Sequence, residues 1–412
     1  MTAIERYLQK KFKFDAAYFI RGGFWSTLGQ VIGIVGGVIT TSLFAYYLSP
    51  EDYGVYKYLI MLGVIFSSLS LTGIGQSILQ SAAKGYAYFY PRGVRLSLKY
   101  NIGAILLSIT AAGYYFFHDN YTLAIGCILI ALFQPFINSF GNYPSFLQGS
   151  KKFRENTYFL IIKTIFIAAV SIISILITKN ILVLLLVYLA SNAFINFVLY
   201  FFTRPKLTQE ISQEIIDKYT NYAKHTSIQN FLTNIATRLD SIIIFQQLGA
   251  AELAIYTIAN IIPHQIKGSL KNISSLILPK FAKYNNIEDI KEIILRKGIL
   301  LFLVLCVIMV LYVLLVPFLY HFLFPKYEEA IFLSQLSALA FPAFILFLPM
   351  GALKSQMKKK ELYILNIISN VISIVLTVVL ILLYGVLGAI LAKILYRYIN
   401  AFVSFYIILH KT

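Results

Sequence analysis

The stretch ILLFLVLCVIMVLYVLLVPFLY, from Ile299 to Tyr320, is a continuous apolar run without a charged side chain. A helix of that length covers the hydrocarbon core of a bilayer, about 30 Å thick, whereas a strand of a membrane barrel alternates in polarity over about ten residues. Only helices and closed barrels satisfy their backbone polar groups in lipid. The stretch therefore predicts a membrane-spanning helix.

Similar apolar stretches recur along all 412 residues, which are 59% hydrophobic and only 13% charged, with a mean hydropathy of +0.76. This composition is far from that of a soluble domain. We predict an all-α polytopic membrane protein with about 12 transmembrane helices. The predicted spans are residues 21–48, 55–81, 97–117, 121–148, 155–178, 181–203, 221–248, 251–279, 296–319, 328–353, 361–383 and 385–409.

The net charge of +18 comes from basic residues that are concentrated on one side of these spans. Alternate connections and the two termini hold 26 Lys and Arg residues, whereas the other connections hold only Lys57, Lys179 and Lys326. This asymmetry is the positive-inside pattern, so we place both termini in the cytoplasm. Because membrane orientation explains the basic residues, we expect no nucleic-acid partner.

A weak internal repeat has an offset near 200 residues. LSPEDYGVY (Leu48–Tyr56) aligns with LGAAELAIY (Leu248–Tyr256), and LQGSKKFRE (Leu147–Glu155) lies opposite LKSQMKKKE (Leu353–Glu361). Six spans return the chain to the same side, so we predict two pseudo-symmetric six-helix lobes around a central cavity. The predicted domains are a cytoplasmic amphipathic segment at residues 1–20, an N-terminal lobe at 21–203, a cytoplasmic linker at 204–220 and a C-terminal lobe at 221–412.

Ionisable residues inside the predicted spans indicate the substrate's charge. Six are cations and one is an acid, so mutual pairing cannot neutralise them. At about 2.5–3.5 kcal/mol each, exposing all of them to lipid would cost roughly 17–25 kcal/mol, more than the usual net stability of about 5–15 kcal/mol. An anionic substrate in a hydrated cavity would supply the missing charge. The seven residues are Lys163, Arg238, Asp240, Lys267, Lys271, Lys393 and Arg397.

Polar residues at helical spacing give two consecutive spans a polar face. We interpret both faces as walls of the substrate cavity. The alternatives are that the lysines of the eighth span snorkel toward the cytoplasmic interface, and that its histidine forms a hydrogen bond between helices. The candidates are Asn260, His264, Lys267 and Lys271 in the eighth span, and Asn230, Asn234 and Arg238 in the seventh.

Further candidates lie in the first, fifth and twelfth spans. Arg21 and Gln30 of the first span are placed to line the cytoplasmic mouth of a cavity, while Gly29, Gly33 and Gly37 have the spacing of a small-residue packing face. The remaining substrate-binding candidates are Lys163 in the fifth span, and Lys393 and Arg397, an i, i+4 pair in the twelfth.

Asp240 is the only acid deep in the predicted bundle. It either carries a coupling ion, H⁺ or Na⁺, or offsets a neighbouring cation, which cannot be Arg238 because residues two apart do not share a helix face. Cys127 and Cys306 fall in separate spans without a CxxC motif or a histidine partner, so we expect no metal and no cofactor.

Several short motifs resemble those of the polysaccharide-export branch of the MOP superfamily, the Wzx-type flippases of lipid-linked oligosaccharides. They cover the first span with its following turn, the end of the fourth span, and the junction of the seventh and eighth spans. The motifs are RGGFWSTLGQ (21–30), LSPEDYGVYKY (48–58), LQGSKKF (147–153), RLDSIII (238–244) and LGAAELAIYTIA (248–259).

This resemblance implies a cavity lined by the first, second, seventh and eighth spans. It also implies alternating access in the bacterial cytoplasmic (inner) membrane, carrying a polyprenyl-diphosphate-linked oligosaccharide, such as an O-antigen unit, to the outer leaflet without bond cleavage. The cations would bind the diphosphate. Membrane lipid, a polysaccharide polymerase and chain-length machinery are the other implied partners.

Two other function classes compete with this one. A drug-like exporter of the same superfamily would need acidic rather than basic cavity residues. A membrane polysaccharide polymerase or glycosyltransferase would need an acid or base at an accessible surface, whereas this chain has short outer loops and one deep acid. We therefore expect a transporter rather than an enzyme.

Overall fold

The computed structural model describes residues 16–205, 212–281, 287–356 and 359–410. All regular secondary structure in those ranges is helical, which confirms the predicted all-α class. Eight helical stretches of the described residues are long and apolar enough to cross a membrane, and they identify a multi-pass membrane protein. Residues 1–15 of the predicted amphipathic segment (1–20) lie outside the described residues.

The chain divides into two compact units. The first comprises residues 1–47 and 59–235, and the second comprises residues 48–58 and 236–412. The division therefore does not fall at the predicted linker of residues 204–220. The start of the predicted second span belongs to the second unit, and most of the predicted seventh span belongs to the first.

The helices up to residue 236 follow the predicted spans in order, but several spans are made of two helices. α10 also begins inside the predicted linker. These helices are α1 (Ala16–Tyr47), α2 (Pro50–Ser67), α3 (Ile74–Ala83), α4 (Phe89–Tyr100), α5 (Ile102–Phe117), α6 (Tyr121–Phe140), α7 (Tyr143–Gly149), α8 (Phe153–Ile177), α9 (Ile181–Thr203) and α10 (Gln213–Ala236).

The predicted second span is interrupted between α2 and α3 by a serine-rich segment. The hydroxyls of Ser67, Ser68 and Ser70 donate to carbonyl oxygens three or four residues earlier, at 2.6, 2.5 and 2.6 Å. Such local hydrogen bonds compete with the helical ladder and bend it. The helix resumes at Ile74, so one continuous span was the wrong prediction here.

The third predicted span is also interrupted, at Asn101, and the fourth is interrupted after Phe140. A polar network connects these two breaks with the break in the second span. Asn138 Nδ2 donates to Ser67 Oγ at 2.8 Å and to Asn101 Oδ1 at 3.2 Å. Asn101 Nδ2 in turn donates to Ser139 Oγ at 3.2 Å. The network satisfies polar groups where the helices of the first unit are discontinuous.

α1 packs on α8 through glycines, but not through all of those predicted. A Cβ at Gly29 would lie 3.1 Å from Leu160, and a Cβ at Gly36 would lie 2.6 Å from Thr164 Cγ2. No atom lies within 4 Å of a Cβ built at Gly33 or Gly37. The predicted face is therefore wrong at Gly33 and Gly37, because the contact with α8 uses Gly29 and Gly36, which are two helical turns apart.

The second unit continues the chain after the break at residues 237 and 238. Pro342, which lacks a backbone N–H, begins a 3₁₀ turn that interrupts the tenth predicted span. The last two spans form one helical element with a non-helical residue, Gly385 (φ 59°), at the predicted turn. The elements are α11 (Leu239–Leu248), α12 (Ala250–Phe281), α13 (Ile287–Leu323), α14 (Glu329–Ala338), the 3₁₀ turn (Pro342–Leu346), α15 (Phe347–Ser355) and α16 (Lys359–His410).

α13 fixes the position of α12 through a buried hydroxyl network. Tyr320 Oη donates to the carbonyl oxygen of Ile258 at 2.8 Å and accepts a hydrogen bond from Ser334 Oγ at 3.0 Å. Tyr312 and Ser334 lie 2.6 Å apart through their hydroxyls. Because a buried network of this kind is costly to leave half-satisfied, it holds the middle of α12 against α13 and α14.

Candidate functional site

Polar side chains from several elements of the second unit meet around a cavity of about 180 Å³. They come from the start of α11, the middle of α12, the end of α14 and both halves of α16. We call this space the polar cavity. Its polar lining residues are Thr237, Asp240, Asn260, His264, Lys267, Ser337, Asn370, Ser373, Thr377, Lys393, Tyr396 and Arg397.

The break before α11 determines the position of Asp240. α10 ends at Ala236, and the helix begins again at Leu239 with Arg238 as its N-cap residue. Asp240 therefore lies in the first turn of α11, where the helix dipole favours a carboxylate. The break thus places the acid at a new helix N-terminus next to the polar cavity.

Both carboxylate oxygens of Asp240 are engaged. Oδ1 accepts hydrogen bonds from the backbone N–H of Ser241 at 2.6 Å and from Ser241 Oγ at 3.1 Å. Oδ2 accepts a short hydrogen bond from Tyr256 Oη and forms an ion pair with Lys393 Nζ at 2.8 Å. The carboxylate is therefore stabilised by one cation and three neutral donor groups.

Lys393 and Arg397 lie one turn apart on α16 but have different partners. Lys393 Nζ, besides pairing with Asp240, lies 4.7 Å from the ring centroid of Tyr256. Arg397 Cζ lies 4.9 Å from the ring centroid of Phe344, a cation–π contact with the 3₁₀ turn. Among the described residues, no carboxylate oxygen lies within 4 Å of the Arg397 guanidinium.

α12 contributes a polar face to the cavity. Asn260 Nδ2 donates to the carbonyl oxygen of Tyr256 at 2.8 Å, one turn earlier, and His264 and Lys267 follow on later turns. Spacings of three and four place these residues on one helix face. Asn260, His264 and Lys267 of the predicted stripe therefore line a cavity.

The structure brings six predicted residues together around the polar cavity. Asp240 forms its ion pair with Lys393 of the last predicted span. The positions of these two residues in the sequence do not indicate that they meet. The twelfth span therefore shares a cavity with the seventh and eighth. The six residues are Asp240, Asn260, His264, Lys267, Lys393 and Arg397.

The other candidates are not part of this cavity's described lining. Arg238 is exposed at the break before α11. The side chains of Arg21 and Lys271 lie outside the part of the chain that the structure describes. Gln30 on α1, Lys163 on α8, and Asn230 and Asn234 on α10 belong to the first unit, where each is partly buried.

Three sets of site residues were missed at the sequence level. Tyr256 lies four residues before Asn260, so extending the polar stripe by one turn identifies it. Asn370, Ser373 and Thr377 have helical spacing and mark a polar face of the eleventh span. No local sequence signal identifies Phe344, because its partner Arg397 is distant in the chain and meets it only in the folded protein.

The charges around the polar cavity favour an anion. In the described lining, three basic side chains, Lys267, Lys393 and Arg397, share it with one acid. A metal ion at Asp240 would have to displace the Lys393 ammonium, and the described residues contain no cluster of three or more His, Cys, Asp or Glu side chains that would hold one. The arrangement can therefore bind a phosphate or carboxylate group through charge-assisted hydrogen bonds.

Comparison with known proteins identifies the family of the chain. The family described as polysaccharide biosynthesis protein matches residues 43–332, well over half of the sequence. No curated protein matches the chain.

Solved structures of several transporters share the fold. A MOP superfamily transporter from Pyrococcus furiosus, described as having a binding pocket of reverse polarity, is 13% identical, with a TM-score of 0.66 over 96% of this chain and 95% of that one. An outward-facing multidrug resistance transporter of the MATE family is 13% identical, with a TM-score of 0.65 over 96% and 95%.

The lipid II flippase MurJ, in an inward closed conformation, is 16% identical, with a TM-score of 0.66 over 95% of this chain and 88% of that one. At these identities the likeness establishes the fold, which is that of MOP superfamily transporters. Together with the match over residues 43–332, it shows that the chain belongs to the polysaccharide biosynthesis protein family and has a MOP transporter fold.

Proposed function

We propose that the protein is a flippase for a polyprenyl-diphosphate-linked oligosaccharide, which it moves from the cytoplasmic to the outer leaflet by alternating access. Membership of a polysaccharide biosynthesis family supports the glycan, and the transporter fold supports movement without bond cleavage. One protein of this fold, MurJ, is itself described as a lipid II flippase.

The polar cavity is the observation on which the proposal rests. Lys267 on α12 and Arg397 on α16 bring positive charge to one cavity, and Asp240, the acid in its described lining, has Lys393 as its ion-pair partner. Cations inside a membrane protein are costly unless protein, water or a ligand compensates them. In this proposal a diphosphate headgroup adds such compensation and has the charge to recruit more than one of these cations.

Arg397 is the principal headgroup ligand in this proposal. Its guanidinium contacts the face of Phe344, which restrains the planar group while its edge stays available for two parallel hydrogen bonds to phosphate oxygens. Lys267 acts as a point charge from the facing helix. Asn260 and the hydroxyls of Ser373 and Thr377 offer neutral donors around the same space.

The size of the polar cavity suits the headgroup. Pockets that enclose drug-sized molecules are roughly 300–1,000 Å³. A cavity of about 180 Å³ has room for a diphosphate or a single acidic group. In this proposal the glycan and the lipid chain extend beyond its lining residues while the diphosphate is bound.

The cellular setting is part of the same proposal. The basic residues on one side of the predicted spans support cytoplasmic termini, and the proposed lipid carrier is consistent with a bacterial cytoplasmic membrane. A polysaccharide polymerase and chain-length machinery would then use the flipped product. A drug-like exporter remains the alternative, and the basic cavity disfavours cationic substrates.

A reconstituted-vesicle assay tests the proposal. A fluorescent polyprenyl-diphosphate oligosaccharide is incorporated, and its movement between leaflets is followed by quenching from outside. We expect movement with the native protein, and at least a tenfold slower rate for Arg397→Ala and Lys267→Ala, because each removes a charge-assisted bond of about 1.5–3 kcal/mol.

Lys179→Gln is the matched control, since it removes one exposed cation outside the polar cavity. It should flip lipid at the native rate. If native protein that is folded and correctly inserted moves no such lipid, the substrate assignment is wrong. If both cavity variants flip at the native rate, the polar cavity has no part in transport.

A further inference from the structure

We propose that Lys393 exchanges partners during transport. Its ammonium is held by Asp240 when the polar cavity is empty and passes to the anionic headgroup when the cavity is loaded. The inference rests on the proposed function and deepens it, because it makes Asp240 a positioning residue that determines how tightly the headgroup is held.

The two members of the ion pair differ in their freedom to move. The side chain of Asp240 is 7% exposed, whereas that of Lys393 is 34% exposed. Asp240 is also fixed by its place in the first turn of α11 and by two hydrogen bonds from Ser241. A lysine has a long, flexible stem that swings while its backbone stays in place. Lys393 is therefore the mobile partner.

The carboxylate stays stabilised when Lys393 leaves. Breaking a buried ion pair is normally costly because it leaves an uncompensated charge behind. Here the Ser241 backbone N–H, Ser241 Oγ and Tyr256 Oη all donate to Asp240 independently of Lys393. A carboxylate with two or three such donors remains favourable as an anion. The exchange therefore does not leave Asp240 without partners.

The destination of the ammonium lies on the same helix. Lys393 and Arg397 are four residues apart on α16, so their side chains are neighbours on one face, and both line the polar cavity. A headgroup on Arg397 is thus within one helical turn of Lys393. The ring of Tyr256, 4.7 Å from Lys393 Nζ, gives the ammonium a second favourable contact beside the acid.

Asp240 and the headgroup then compete for one cation, which has two consequences. The competition weakens headgroup binding and speeds release, because Asp240 recaptures Lys393 as the headgroup leaves. It also means that Lys393, rather than a metal ion, is the cationic partner of Asp240 before the headgroup binds.

The test is a calorimetric titration of full-length protein in lipid nanodiscs, with inorganic diphosphate as the probe. We expect Asp240→Asn to bind diphosphate roughly tenfold more tightly than the native protein, since couplings between interacting sites are typically 5- to 150-fold. In the vesicle assay the same variant should flip lipid more slowly. Lys393→Gln should bind diphosphate more weakly than the native protein.

The double variant Asp240→Asn/Lys393→Gln separates exchange from a purely structural role. It keeps a neutral hydrogen-bonding pair, so it tests folding without the charges. We expect it to unfold near the native temperature but to bind diphosphate as weakly as Lys393→Gln. The proposed exchange is overturned if the double variant binds diphosphate with native-like affinity. It is also overturned if folded Asp240→Asn binds diphosphate no more tightly than the native protein.

Failure of this inference is distinguishable from failure of the proposed function. A native protein that flips lipid, while Asp240→Asn and the native protein have equal diphosphate affinity, overturns the exchange alone. A protein with the expected order of diphosphate affinities that moves no lipid-linked oligosaccharide supports the exchange and overturns the proposed lipid substrate.

Discussion

Arg397 and Lys393 carry the same charge one turn apart, yet their surroundings predict different consequences of substitution. Arg397 lies against Phe344 and presents a planar fork, whereas Lys393 pairs with Asp240. We expect Arg397→Lys to lower the affinity for inorganic diphosphate about tenfold although the charge is kept, because an ammonium cannot form the two parallel hydrogen bonds. Calorimetric titration measures this loss.

Lys179→Arg is the control for this substitution, because it replaces lysine by arginine at an exposed position away from the polar cavity. It should leave diphosphate affinity unchanged. Equal affinities for Arg397→Lys and the native protein would mean that only the charge at this position matters.

The sequence predicts the types of site residue better than their partners. The free-energy cost of a charged side chain inside the membrane is enough to identify Asp240, Lys393 and Arg397 as residues that need polar surroundings. Their contacts with Tyr256 and Phe344 join segments distant in the chain, and helical periodicity carries no information on such contacts. For this reason the sequence is compatible with either a coupling ion or a neighbouring cation as the partner of Asp240.

At the scale of the helix, adjacent glycines of α1 have opposite expected effects on stability. In a helix interior, Gly→Ala stabilises by about 0.5–1 kcal/mol when the new methyl group has room. Gly37→Ala meets that condition, since no atom lies within 4 Å of the added Cβ. Gly36→Ala places its Cβ 2.6 Å from Thr164 Cγ2, and overpacking of this kind costs about 1–3 kcal/mol.

Thermal unfolding of the two purified variants in one detergent tests this prediction. We expect a higher midpoint than native for Gly37→Ala and a lower one for Gly36→Ala. Because the substitution and the helix are the same, a common sign for both shifts would contradict the described contact between α1 and α8.

The polar network at the helix breaks of the first unit gives a second prediction at this scale. Asn138→Ala removes the bonds to Ser67 and Asn101 and the one accepted from Gln134 at 3.0 Å. We expect a loss of about 1–3 kcal/mol of unfolding free energy, because buried polar groups lose their partners. Thr110→Ala, which removes an exposed hydroxyl bonded within its own helix, should have almost no effect in the same unfolding measurement.

The breaks themselves limit what hydropathy predicts about elements. A window of about 20 residues averages over a short non-helical segment, so it does not locate the interruption between α2 and α3. The serines there, and Pro342 in the tenth span, are visible in the sequence. Proline and serine are nevertheless tolerated inside many membrane helices, so their presence alone does not locate a break.

For the whole molecule, the helical membrane class and the family follow from the sequence, while the division into units does not. The apolar stretches, and the basic residues in alternate connections between them, reflect the bilayer, which acts on each span separately. The division into units depends instead on contacts between spans. One unit joins residues 1–47 with 59–235, and the other joins 48–58 with 236–412. The loose internal repeat therefore predicted two halves, but not that residues 48–58 belong with the second.

The membrane potential acts on the whole transport cycle and gives a prediction at this scale. Moving one negative charge out of an inside-negative compartment is favourable by about 2.3 kcal/mol per 100 mV, which corresponds to roughly fiftyfold in an equilibrium constant. In the proposed cycle the cations of the polar cavity compensate part of the headgroup's charge, so the loaded protein would carry less net charge across the field than the free diphosphate would.

We therefore expect flipping in vesicles to be faster when the side from which lipid departs is made negative by a potassium gradient with valinomycin. The acceleration at 100 mV should be several-fold, below the roughly fiftyfold limit for one uncompensated charge. Arg397→Ala removes one compensating cation, so its slower flipping should depend more steeply on the imposed potential. An equal voltage dependence in the two proteins would show that Arg397 does not cross the field with the headgroup.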